Sequence, residues 1–291
     1  MCWRKGAFSL LRRSPFQLSP DASPDRAQAR ARGRPVPLFV LLGGLMALLL
    51  ALPVAMLLWR GLTSDPLGFL ADPTVQAALR LSALTSGIST GVALILGMPL
   101  AYLLARNRFR GRTLLEVLVD LPIVLPPSVA GIALLVAFGR HSVLGSALAP
   151  LGISLPFTTA AVVLAQVFVA APLFIRAARI GFNGVDAQLE EAAYTEGASQ
   201  WQLFRHVMFP LTGRALFAGL VLCWARALGE FGATILFAGN LPGRTQTMPL
   251  AIFIGFQQDL GVALALAAIL LIVSGLVLAV LRKVESEARL Y

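Results

Sequence analysis

The chain has 291 residues, 57% of them hydrophobic and 13% charged, with a formal net charge of +10. Its mean hydropathy is +0.80. A soluble fold of this length has too little interior for so much apolar surface, which excludes a cytosolic enzyme, a secreted disulfide module and a disordered protein. An integral membrane protein remains. The basic balance is not a nucleic-acid footprint, because the charges lie between long apolar runs and form no continuous face. Cys2 and Cys223 supply neither a disulfide framework nor a metal-ligand spacing.

Residues 1–35 are rich in Arg, Pro and Ser and read as a disordered tail. Arg12-Arg13 stand too far ahead of the first apolar run for an export signal, and that run is too long. A membrane-crossing helix needs about 20 apolar residues. Six stretches meet this: 36–59, 78–105, 114–138, 157–175, 211–238 and 260–281. The second carries Arg80 and several Ser and Thr residues in its first half. The third contains Pro122, Pro126 and Pro127, and such a kink either lines a pathway or only shapes packing. In the fifth, Gly213, Gly219, Gly229 and Gly232 suit close helix approach.

Charge sets the expected orientation. Eighteen Lys and Arg residues fall on one side: eight in the tail, Arg106, Arg108, Arg110, Arg112, Arg176, Arg179 and Arg205 in connections, and Arg282, Lys283 and Arg289 at the end. Arg60, Arg80, Arg140 and Arg244 fall on the other. The bias predicts that both termini are cytoplasmic, with 283–291 as the inner C-terminus.

The connection between the fourth and fifth spans is not linker-like. Asp186 is placed to N-cap a short helix running through Glu190, Glu191, Ala192, Ala193 and Tyr194. Gly197 suits the left-handed residue that ends it. Ser199 and Gln202 then fit a capping box for a second helix presenting Trp201, Phe204 and Val207, and Pro210 is expected to close the segment.

The series Glu191-Ala192-Ala193, Gly197 and Val207-x-Phe209-Pro210 resembles the EAA loop of bacterial ABC importer permeases, with Val207 and Phe209 as mild departures from the usual Ile and Leu. Two further stretches, 226–250 and 121–131, are similar to the molybdate permease subunits of type I importers, with sulfate permeases as close relatives. The resemblance covers residue 78 to the end and says nothing of the tail. It implies an all-α, six-helix permease with the N and C termini inside, a core over 76–282 and a coupling loop at 186–210. Glu191, Ala192, Ala193, Gly197 and Pro210 would contact the ATPase. The implied partners are a second copy of the chain, two ABC ATP-binding subunits carrying ATP and Mg, and an external oxyanion-binding protein. The chain itself would bind no cofactor and sit in the bacterial inner membrane. A sulfate or thiosulfate importer is the alternative substrate class, and an ion-coupled secondary transporter the alternative mechanism.

The candidate pathway residues are Arg226, Glu230 and Thr234 in the fifth span and Pro126 and Ser128 in the third. Arg226 and Glu230 are four apart and share a helix face. They either set the potential of an anion pathway or form an ion pair that locks packing. Catalysis by this chain is not expected. Its lysines, Lys5 and Lys283, are not followed by Ser or Thr as a phosphate-binding loop requires, and His141 and His206 fall on opposite sides of the membrane.

Overall fold

A computed structural model describes residues 37–64, 66–152 and 154–287. The expected tail over 1–35 lies outside these residues. Two compact units are distinguished, divided between Val54 and Ala55. Every regular element described is helical, and among the described residues six helices are long and apolar enough to cross a membrane.

Helix α1 is Pro37–Leu62 and contains Pro53. The short α2, Pro66–Leu70, precedes α3, Pro73–Arg106. Asp72 caps α3 by accepting the Thr74 N–H at 2.7 Å, and Pro73 sits at its start, where a missing N–H costs nothing. At 34 residues α3 spans roughly 50 Å, so it protrudes from a hydrocarbon layer of about 30 Å.

The third span departs from expectation. In place of one helix over 114–138 there are two, α4 (Arg112–Val124) and α5 (Pro127–Phe138). Leu125 and Pro126 between them are extended, with ψ of 135° and 137°. A residue before proline is pushed out of the helical region, and two prolines in succession do this twice. Helix α6, Val143–Leu148, is capped by Ser142, and α7, Thr159–Asn183, by Thr158. The fourth span therefore runs well past its expected end at 175, and Arg176 and Arg179 lie inside the helix rather than in a connection.

After α8 (Ala187–Thr195) and α9 (Gln200–Leu203), a single π turn over Phe204–Met208 leads straight into α10, Phe209–Leu228. Pro210 does not close the segment. It occupies the first turn of α10, and the Phe209 N–H reaches back to the Phe204 carbonyl. The widened turn accommodates a ring that would clash with the carbonyl of a regular preceding turn. The fifth span is also broken, since α10 stops at Leu228 and a short α11, Gly232–Phe237, follows. Helix α12, Met248–Gln258, lies within a stretch read only as a connection, and α13, Leu260–Glu287, ends the described chain.

The core is built on α7, which packs against both α3 and α10. Small residues permit the approach. A methyl group at Gly97 would stand 3.0 Å from Ile175, and one at Gly219 would stand 2.8 Å from Ala177. In a bilayer such close contact replaces the hydrophobic force that packs soluble helices. One cluster gathers Leu104, Phe174, Phe182, Leu203, Met208 and Cys223, and another gathers Leu134, Val162, Ala165, Ala233 and Phe237.

Candidate functional site

The elbow over 186–203 is made by short-range hydrogen bonds. Asp186 accepts the Gln188 N–H at 3.0 Å and opens α8. Gly197, with φ of +82°, closes it. The Gly197 N–H donates to the Tyr194 carbonyl and the Ala198 N–H to the Ala193 carbonyl, both at 3.0 Å, which is the Schellman arrangement. Ser199 and Gln202 form the reciprocal capping box that opens α9. Glu191, Ala192, Gly197 and Pro210 are exposed, and Ala193 is half-buried against the core.

Long-range contacts fix this elbow to the body. At the end of α3, Arg106 pairs with Glu190 at 2.6 Å and donates to the Val185 carbonyl at 2.9 Å. The Tyr102 ring meets Phe182 and Phe204 edge-on, with centroids 5.5 and 5.4 Å apart. Of the three apolar residues expected on the face of α9, Phe204 and Val207 turn partly into the core, whereas Trp201 is 66% exposed and stacks on Phe204. Sequence reading missed Arg106 and Tyr102, because nothing local in α3 announces a partner some 80 residues away.

The pathway candidates assemble where the third and fifth spans break. Arg226 Nη1 lies 2.6 Å from Glu230 Oε2. The other Glu230 oxygen accepts the Ala233 N–H at 2.9 Å, so one carboxylate ties the end of α10 to the start of α11. Glu230 is buried, while Arg226 keeps a third of its side chain exposed. A methyl group at Gly232 would come within 2.5 Å of Pro127, and one at Gly131 within 2.8 Å of Leu236. The two breaks therefore touch. Pro126 and Ser128 flank that contact and are exposed. Thr234 is buried, its hydroxyl without a hydrogen-bond partner among the described residues.

Two further polar groupings escaped the sequence reading. Ser82, Thr85, Ser86 and Ser89 are buried along one face of α3. Ser82 accepts the Met248 N–H at 2.7 Å, and Ser89 donates to Gln166 at 3.0 Å. Their spacing of three, one and three residues is the helical signal that would have found them. The second grouping is ionic: Arg179 and Arg112 reach Glu116 at 3.1 and 2.9 Å, and Arg176 lies 3.6 Å from Asp120.

Six apolar helices among the described residues, two of the expected spans broken and an exposed capped elbow mark a multi-pass membrane protein. Residues 93–286 match the family described as the inner membrane component of binding-protein-dependent transport systems, and the chain belongs to that family. The probable transport system permease protein NifC of Clostridium pasteurianum is 38% identical over 248 residues, covering 84% of this chain and 86% of that protein. The molybdenum transport system permease protein ModB of Mycobacterium tuberculosis is 44% identical over 208 residues, covering 72% and 79%. Among solved structures, a bacterial ABC transporter involved in the import of the acidic polysaccharide alginate superposes with a TM-score of 0.72 at 15% identity, covering 90% of this chain and 99% of that one. At that identity the likeness shows the fold alone, the six-helix permease fold of type I ABC importers. The protein is thus a multi-pass inner-membrane component of an ABC importer.

Proposed function

We propose that this chain is the permease of a molybdate importer, moving the oxyanion inward at the expense of ATP hydrolysed by a separate subunit. Two copies form the path, two ATP-binding subunits carry ATP and Mg below, and an oxyanion-binding protein delivers cargo from outside. Both termini face the cytoplasm, in keeping with the Lys and Arg bias. The substrate assignment is carried by 44% identity over 208 residues to a permease named for molybdenum transport.

The geometry supports the energy coupling. A short helix that relays force needs fixed ends, an anchor and an exposed face. The elbow has caps at Asp186, Gly197 and Ser199, the Arg106–Glu190 anchor, and exposed Glu191, Ala192 and Trp201. In this reading Glu191, Ala192, Ala193, Gly197 and Pro210 form the contact with the ATPase.

The test is ATP-dependent molybdate uptake by cells relying on this permease and its partners, with and without excess sulfate. Uptake that resists sulfate is the expected result. Uptake abolished by sulfate moves the substrate to the sulfate class, and uptake that persists without ATP overturns the coupling.

A further inference from the structure

The geometry points to a second anion station on the inner half of the path: Arg176, assisted by Arg179, takes the cargo oxyanion in place of Asp120 and Glu116 and releases it inward. This rests on reading the chain as an oxyanion permease. Helices α7 and α10 run side by side, with Gly219 packed on Ala177 and Gly181 on Ala215, an antiparallel register. Arg176 is therefore level with Gly219. Arg226 stands seven residues further along α10, roughly 10 Å away along the axis. The third span passes both positions. Its α4 half brings Asp120 to Arg176 and Glu116 to Arg179, and Pro127 at its break rests on Gly232, two residues beyond Glu230.

Each arginine is thus held by a carboxylate from a different helix or from across a helix break. An unpaired guanidinium within a membrane is costly, and an unpaired row of them would trap a dianion. A carboxylate partner solves both problems, because cargo binds only by displacing it and leaves when it returns. The two stations differ in grip. Glu230 is buried, pairs at 2.6 Å and also holds the Ala233 N–H. The Arg176–Asp120 pair is 3.6 Å apart, with side chains 54% and 36% exposed, and Asp120 and Glu116 border an open groove along α4 whose other walls are Thr113, Val117, Leu121 and Val124. Arg176 faces Asp120 through Nε, in a planar fork suited to an oxyanion, and Arg179 shares its Glu116 with Arg112. The loosely held station is the one built to let go.

The experiment uses the assembled transporter in proteoliposomes, with ATP-driven uptake of molybdate, tungstate or sulfate measured beside ATP hydrolysis. Arg176→Gln is expected to lower uptake per ATP at least tenfold. Asp120→Asn removes the carboxylate whose return frees the anion, so it is expected to lower uptake per ATP as well, with the anion held more tightly. The double variant Asp120→Asn with Arg176→Gln leaves no charge unpaired, so it assembles even where a single variant does not, and it is expected to stay low. Rescue of uptake in the double variant would mean that the pair only holds α4 to α7, and would overturn the proposal. Wild-type uptake per ATP in Arg176→Gln overturns it as well, with the permease reading intact. Wild-type protein that carries none of the three anions overturns both.

Discussion

The elbow at 186–203 and the crossing of the two broken spans are held by opposite means. In the elbow each bend is fixed by a hydrogen bond between residues two to five apart, as at Asp186, Gly197 and Ser199. At the crossing, Pro127 meets Gly232 and Gly131 meets Leu236 across about a hundred residues of sequence, and one buried carboxylate bridges the gap in the fifth span. The first region has stiffness of its own. The second has its shape only while its neighbours are in place. A transporter needs both kinds of structure, a part that keeps its form under load and a part that can be rearranged by moving what surrounds it.

The contrast is open to attack at both ends. The largest effect is expected at the crossing from Glu230→Ala, which strands Arg226 in the membrane and leaves the Ala233 N–H unpaired. Removing one partner of a buried pair costs about 3–5 kcal/mol. The check is thermal unfolding of the purified complex, and an unchanged midpoint would show that the pair bears no structural load. Gly232→Val drives a side chain into Pro127, and overpacking of this kind costs about 1–3 kcal/mol. A reduced level of assembled complex in the membrane is the expected outcome. Smallest in stability is Gly197→Val, where a side chain at φ of +82° costs about 1–2 kcal/mol. Its damage should be confined to the elbow. The unfolding midpoint should fall by only a few degrees while ATP-driven uptake falls well below ATP hydrolysis, and equal retention of both would remove Gly197 from the coupling path.

The same division explains what could be read in advance. The caps at Asp186, Gly197, Ser199 and Gln202 lie within a few residues of what they cap, so composition and spacing reveal them. The prolines of the third span announced a kink but not the end of one helix and the start of another, and the gap at Gly229–Phe231 was passed over because the apolar run resumes just beyond Glu230, where hydropathy measures burial rather than hydrogen bonding. Helix α12 was passed over for a related reason. Its 11 residues are too few to span a bilayer, although Pro249 in the first turn after Thr247 marks a helix start. Among the pathway candidates, the Arg226–Glu230 pairing followed from helical spacing. That the carboxylate also holds the Ala233 N–H depends on a break that no periodicity shows. Arg176 and Arg179 were placed in a connection because their charge argued for water, and their partners on α4 could not be seen from α7 alone.

Because the π turn at Phe204–Met208 does not interrupt the helix, Gln200–Leu228 is one rod of 29 residues, roughly 43 Å long. It exceeds a hydrocarbon thickness of about 30 Å, so one end stands clear of the bilayer with Trp201 on its flank while the other ends two residues before Glu230. A rod of this kind is a crankshaft. In the proposed coupling, torque applied at the elbow would travel along this rod to the gap between α10 and α11, passing through the wide turn ahead of Pro210.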